Sequence, residues 1–127
     1  MCGIAGFYQS DNTIRSEGQG IIRRMTDALV HRGPDDSSTY IDEDAGLFIG
    51  HRRLSILDTS KGGLQPMASK NQQFVIAFNG EIYNHKELRV ELELENPSLT
   101  WDSTSDTETL LAAFECWGID QTLPKLR

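Results

Sequence analysis

Cysteine is scarce in this chain: Cys2 and Cys116 are the only two among 127 residues. Two are too few for a disulfide scaffold. No Cys/His grouping has the spacing of a zinc site, so no metal is expected. Long apolar runs are missing as well. No stretch approaches the ~20 residues of a membrane span, and the N-terminus has neither the basic start nor the apolar core of a signal peptide. The cytoplasm follows by default, where both thiols stay reduced. Excess basic charge is also absent. Twelve Lys+Arg against nineteen Asp+Glu leave a net charge of −7. An acidic surface repels phosphate backbones and anionic lipid, which argues against nucleic acid and membrane as partners. There is no internal repeat, no low-complexity stretch and no linker, and the length fits one domain at most.

What is present reads as a mixed, α+β chain. Cys2-Gly-Ile-Ala-Gly-Phe-Tyr8 is a short apolar run ended by polar residues, which suits a buried strand. Ile21, Ile22, Met25, Ala28 and Leu29 recur at helical spacing, so 17–30 is expected to be an amphipathic helix opened by the capping box Ser16-x-x-Gln19. Strands are expected at 38–42 and 46–52 around an acidic turn, with a turn-rich loop over 58–72. Gln73–Phe78 is rich in β-formers. Asn79-Gly80 then predicts a type I′ hairpin turn, with Glu81–Tyr83 as the return strand. A polar helix covers 85–94. Ser105-x-x-Glu108 is a second capping box, opening a helix with an apolar side of Leu110, Leu111, Ala113, Phe114 and Trp117, and Gly118 suits its C′ position. The order β-α-β-β-β-β-α-α implies a largely antiparallel sheet. Residues 119–127 carry no stop signal, and the chain reads as cut off rather than finished.

Cys2 is the sharpest chemical feature. Removal of Met1 leaves one residue with both a thiol nucleophile and a free α-amine. That amine has an ordinary pKa of about 7.7–8.0, so it can take the thiol proton at neutral pH, as in N-terminal threonine enzymes. A retained Met1 acylates the amine and removes the base. Taken alone, Cys2 reads first as a small core residue. His31-Arg-Gly-Pro-Asp-Asp36 reads alone as a polar turn, and Gly50-His-Arg-Arg-Leu-Ser-Ile-Leu-Asp58 as a solvated basic edge. Asn79 can offer a side-chain amide and Gly80 a main-chain N–H, the composition of an oxyanion hole. Cys116 reads as a core thiol beside Trp117. His51 and His85 have no metal partner at usable spacing. Gly62-Gly63 has no helix after it to cradle phosphate.

Taken in order, Met1-Cys-Gly-Ile-Ala-Gly, His31-Arg-Gly-Pro-Asp, Arg53-Leu-Ser-Ile-Leu-Asp58, Gln65-Pro66, Asn79-Gly-Glu-Ile-Tyr-Asn84 and Ser105-Asp106 resemble the glutaminase domain of glutamine-dependent asparagine synthetases. The resemblance covers essentially the whole chain. It implies a class II glutamine amidotransferase domain with the N-terminal nucleophile hydrolase fold, a four-layer αββα sandwich, here incomplete at the C-terminus. By that resemblance Cys2 attacks the amide of L-glutamine, Asn79 and Gly80 hold the oxyanion, and Arg53 pairs with the substrate α-carboxylate. Asp106, helped by Glu81, holds the α-ammonium, while the backbone of Leu54, Ser55, Ile56 and Leu57 lines the pocket. His31 and Arg32 shape the wall beside Cys2.

The family's synthetase domain, with its Ser-Gly-Gly-rich loop, has no counterpart in residues 1–127. ATP and Mg belong to that missing C-terminal domain, and no cofactor is expected here. The chain is therefore expected to be a partial domain whose unfinished sheet edges favour self-association. Two other readings share the same residues. One is a related amidotransferase delivering ammonia to another acceptor, such as a sugar acid of a surface polysaccharide. The other is a non-catalytic interaction module of the same fold.

Overall fold

The computed structural model describes residues 2–10, 15–55 and 61–127, and only the main chain of 15, 16 and 61. It divides into two compact units. The first holds the elements up to Arg53 together with Leu64–Pro66 and Ala77–Asn79. The second holds Met67–Ile76 and everything from Gly80 onward.

In the first unit, β1 (Gly3–Tyr8), β2 (Asp36–Asp42) and β3 (Leu47–Arg53) form an antiparallel sheet in the order β1-β3-β2. The register pairs Gly3 with Arg52 and Phe7 with Phe48 on one side, and Asp36 with Arg53 and Thr39 with Gly50 on the other. Helix α1 (Arg15–Asp27) packs against β1 and β3. It buries Ile22 and Thr26 against Gly50, and its Gly18 lies on the Phe48 ring. Burying a side chain like Ile22 stabilises by about 1.5–3 kcal/mol. The Phe7 and Phe48 rings stack 4.6 Å apart. Gly50 is required by close approach: a Cβ there would overlap the Thr26 hydroxyl. That hydroxyl donates back to the Ile22 carbonyl at 2.7 Å, inside its own helix. Arg52 reaches over the helix end, its Nε 3.2 Å from the Thr26 carbonyl and its Nη2 2.6 Å from Asp27. A cation there suits the negative end of α1.

In the second unit, β4 (Met67–Ala68) and β5 (Val75–Ile76) form a short antiparallel hairpin. Helix α2 (His85–Glu95) buries Leu88 and Leu92, and packs on α3 (Asp106–Trp117). Leu92, Ala112 and Ala113 form a core flanked by Leu99, Trp101 and Trp117. Gly118 caps α3, its N–H on the Phe114 carbonyl, and α4 (Ile119–Thr122) follows with a single 3-10 turn over Leu123–Lys125. The last residues return to the loop before α2. The Tyr83 N–H donates to the Arg127 carbonyl at 2.7 Å, and the Arg127 N–H to Asn84 Oδ1 at 2.9 Å.

The α+β class, the β2–β3 pair and helices over 85–94 and after Ser105 agree with the sequence reading. Several local expectations are corrected. Ser16 lies inside α1 rather than capping it. The strand at Gln73–Phe78 shrinks to Val75–Ile76, and its partner is Met67–Ala68, inside the segment read as loop. Neither Asn79 nor Gly80 has positive φ, so the type I′ turn is not formed, and Glu81–Tyr83 is not a strand. Side chains take its place: Gln65 accepts the Phe78 N–H at 2.5 Å, and Asp106 accepts the Ile82 N–H at 2.9 Å. With the main chain satisfied in this way, no return strand is needed. Ser105 does cap α3, accepting from the Thr107 N–H. Glu108 does not close the box. Its carboxylate instead takes the N–H groups of Asp102 and Ser103 and the Ser103 hydroxyl. Cys116 is exposed, not core, because the buried side of α3 is formed by Thr107, Thr109 and Leu110–Ala113.

Candidate active site

In the first unit the antiparallel register carries Cys2 alongside the residues just past β3. The Leu54 N–H donates to Cys2 Sγ at 3.4 Å, and the sulfur lies 3.9 Å from the Leu54 carbonyl. A half-buried thiol is thus held by a main-chain amide beside the pocket-wall residue expected from the sequence. Two neighbours of Leu54 are also tied down. Arg53 is buried, and its Nη1 lies 3.5 Å from Asp36 Oδ2. The Ser55 N–H donates to Asp35 Oδ2 at 2.7 Å, while the Asp35 N–H donates to the Arg53 carbonyl at 3.1 Å. The acids of the His31–Asp36 segment therefore set the position of the Arg53–Ser55 backbone. Ile56 and Leu57 lie outside the described residues.

The rest of that segment acts through shape. Gly33 is buried against β3, and a Cβ there would overlap the main chain of Arg52 and Arg53. Gly3 packs against Leu29 and Arg32, which puts Arg32 beside the strand that Cys2 leads into, and both His31 and Arg32 are exposed.

Asn79 belongs to this same unit and is exposed. The residue before it is anchored by Gln65, through the Phe78 N–H. His51, on β3, is 1% exposed, and its Nε2 finds no hydrogen-bond partner. Burial lowers its pKa from the ordinary histidine value; a hydrogen bond to the Phe78 backbone opposes this, and the Arg53 charge adds to it. His51 is consequently a neutral core imidazole at physiological pH.

In the second unit Gly80 and Glu81 are exposed and Ile82 is buried. Asp106, at the first position of α3, accepts the Ile82 N–H through Oδ2 and faces the Thr107 hydroxyl through Oδ1 at 3.4 Å. This brings Asp106 to the Gly80–Ile82 segment. His85 stands nearby with its Nδ1 unpartnered. Burial lowers its pKa, the Asp106 charge opposes the shift, and Arg89 and Lys86 reinforce it. Partial burial, then Glu115 and Glu95, push the Cys116 thiol upward, which makes it a poor nucleophile.

The sequence reading missed Gln65 and Arg89 as organisers of these segments. Gln65 stands in the sequence only within the Gln65-Pro66 motif, and no periodic signal marks its side chain as the partner of Phe78. Arg89 sits on a helix read simply as polar. Its guanidinium is half-buried and is matched by carbonyls, a hydroxyl and a carboxylate. Burial lowers the Arg89 pKa, and Glu108 and Glu93 counter the effect.

Gly62 and Gly63 lie in one 3-10 turn that leads to β4 and not to a helix, so they form no phosphate-binding helix start. No cluster of three metal-ligating side chains occurs among the described residues. Nor is any described helix long and apolar enough to cross a membrane.

The family model for the glutamine amidotransferase domain matches residues 1–127, and the chain belongs to that enzyme family. Among individual proteins it is similar to asparagine synthetase [glutamine-hydrolyzing] 1 of Bacillus subtilis, 41% identical over 128 residues covering all of this chain and 19% of that protein. Asparagine synthetase [glutamine-hydrolyzing] 3 of the same organism is 40% identical over 122 residues, covering 94% of this chain and 19% of that protein. Asparagine synthetase [glutamine-hydrolyzing] 1 of Arabidopsis thaliana is 32% identical over 120 residues, with the same two coverages of 94% and 19%. The chain thus spans about a fifth of the length of these curated relatives, and matches them as their glutamine amidotransferase region.

Proposed function

We propose that this chain hydrolyses the side-chain amide of L-glutamine, with Cys2 as an N-terminal nucleophile once Met1 is removed. The observation that carries this reading is the Cys2 sulfur held at the Leu54 N–H, next to Arg53, in a member of the glutamine amidotransferase family. The Cys2 amine takes the thiol proton as sulfur bonds to the amide carbon. Asn79 Nδ2 and the Gly80 N–H stabilise the oxyanion. The C–N bond breaks as the amine returns the proton to the leaving nitrogen, which departs as ammonia. Water then cleaves the γ-glutamyl thioester, giving glutamate and restoring the thiol. Arg53, oriented by Asp36, takes the substrate α-carboxylate with a planar fork. Asp106 and Glu81 take the α-ammonium. Leu54 and Ser55, followed by Ile56 and Leu57, form the pocket wall.

In this reading the domain has the αββα nucleophile-hydrolase architecture and works in the cytoplasm. The ammonia serves asparagine synthesis from aspartate in a synthetase region beyond these residues. In the same reading, ATP and Mg act in that synthetase region. The test is glutamate release from glutamine by chain whose Met1 loss has been verified by mass spectrometry. Cys2→Ala should abolish it, and Asn79→Ala should cut kcat by about 100-fold or more. Release that persists in Cys2→Ala would remove the nucleophile from the account.

A further inference from the structure

We infer that Arg89 is a positioning residue for glutamine recognition. It presets the carboxylate of Asp106 through the turn that leads into α3. The inference rests on the reading of Asp106 as the acceptor of the substrate α-ammonium.

Residues 102–105 cross from the core residue Trp101 to the start of α3, with no sheet or helix partner for their main chain. Unpaired main-chain groups in such a segment must find side-chain partners or water. Here two side chains do the work from opposite signs of charge. Glu108 accepts the Asp102 N–H at 2.8 Å, the Ser103 N–H at 2.9 Å and the Ser103 hydroxyl at 2.7 Å. Arg89 addresses the carbonyls. Its Nη1 donates to the Ser103 carbonyl and its Nη2 to the Ser105 carbonyl, both at 2.9 Å. Its Nε donates to the Thr109 hydroxyl at 2.7 Å, one turn into α3. The guanidinium lies 4.1 Å from the centre of the Trp101 ring, and Nη2 is 3.7 Å from Glu108.

The fork therefore grips the two carbonyls that bracket Thr104, together with the first turn of α3. Asp106 is the residue immediately after the second gripped carbonyl. Its Oδ2 is committed to the Ile82 N–H, next to Gly80 and Glu81. Fixing Ser105 thus fixes where Asp106 projects, and with it the main chain of the Gly80–Ile82 segment. Only a planar group with donors at fixed angles can hold both carbonyls and Thr109 at once. Lysine keeps the charge but not that geometry. Preset polar groups of this kind act on substrate affinity, because the substrate then binds without ordering the site.

The experiment compares Arg89→Lys, Asp106→Asn and the double variant in Met1-free chain, by steady-state glutaminase kinetics with thermal unfolding alongside. Arg89→Lys should raise the KM for glutamine about fivefold with kcat within about twofold, the pattern of lost ground-state binding. Asp106→Asn should raise KM more. The double variant should be no worse than Asp106→Asn alone, because the two residues act as one unit. Thr109→Val, which removes the Nε acceptor and the hydroxyl's own bond to the Ser105 carbonyl, should raise KM about twofold and serves if Arg89→Lys does not fold. A purely structural role gives a lower melting temperature with unchanged KM in both Arg89→Lys and Thr109→Val, and overturns the inference. Raised KM in Asp106→Asn with normal KM in Arg89→Lys defeats the positioning role and leaves the glutamine site intact. Unchanged KM in Asp106→Asn defeats the substrate reading itself.

Discussion

The two units hold their candidate site residues by different means. In the first, backbone runs against backbone. Gly33 lies on the main chain of Arg52 and Arg53, Gly50 lets α1 settle on β3, and the Leu54 N–H meets the Cys2 sulfur. In the second, charged side chains stand in for secondary structure. Arg89 and Glu108 divide the turn before α3 between them, and Asp106 replaces a strand partner for Ile82. Contact between main chains tolerates almost no added atom, whereas a side-chain hub loses stability bond by bond. The surroundings of Cys2 are therefore expected to be rigid to substitution, and those of Asp106 graded.

The largest effect should come from Gly33→Ala. The new methyl group meets carbonyl and amide atoms that have no rotamer to move into, and about 3 kcal/mol or more of stability should be lost. Chemical denaturation reads it directly. Arg89→Lys should cost less, about 1–2 kcal/mol, because charge is kept and only the geometry of the fork is lost. If the two substitutions cost the same, the contrast between the units fails. The smallest effect is one of pH. Burial holds the folded-state pKa of His51 below its ordinary value, so the unfolded chain takes up a proton first as pH falls. The stability that a neutral His51 supplies is complete above about pH 6.5 and drains away below it. Melting temperatures between pH 7.5 and 5.5 should therefore fall less steeply in His51→Asn than in the parent chain. Equal slopes would show that His51 titrates alike in both states.

Much of this was legible in the order of residues, and the exceptions share a cause. The strands β1 to β3 and the helices α2 and α3 follow from periodicity and punctuation, which act over a few residues. The resemblance implies one glutamine site for Cys2, Leu54, Glu81 and Asp106; the structure sets Leu54 against Cys2 in the first unit and Asp106 against the Gly80–Ile82 segment in the second. The misread places are those where a distant side chain outbids a local signal. Asn79-Gly80 is a strong hairpin dipeptide, yet Gln65, thirteen residues away, and Asp106, twenty-four from Ile82, take the N–H groups that a hairpin would have used. Arg89 was invisible for the same reason. Its partners lie 14 to 20 residues further on, at no helical or strand period. Cys116 was misjudged because its neighbour Trp117 suggested a core face, while Glu115 on its other side faces outward to the Asn71 N–H.

The central claim is that Cys2 is the nucleophile, and its intermediate can be caught. Met1-free chain is mixed with L-glutamine, quenched in acid within the first turnover, and its N-terminal peptide weighed. The account predicts a γ-glutamyl group on the peptide that begins with Cys2, absent from Cys2→Ala. Folded, Met1-free chain that neither carries the adduct nor releases glutamate would contradict it.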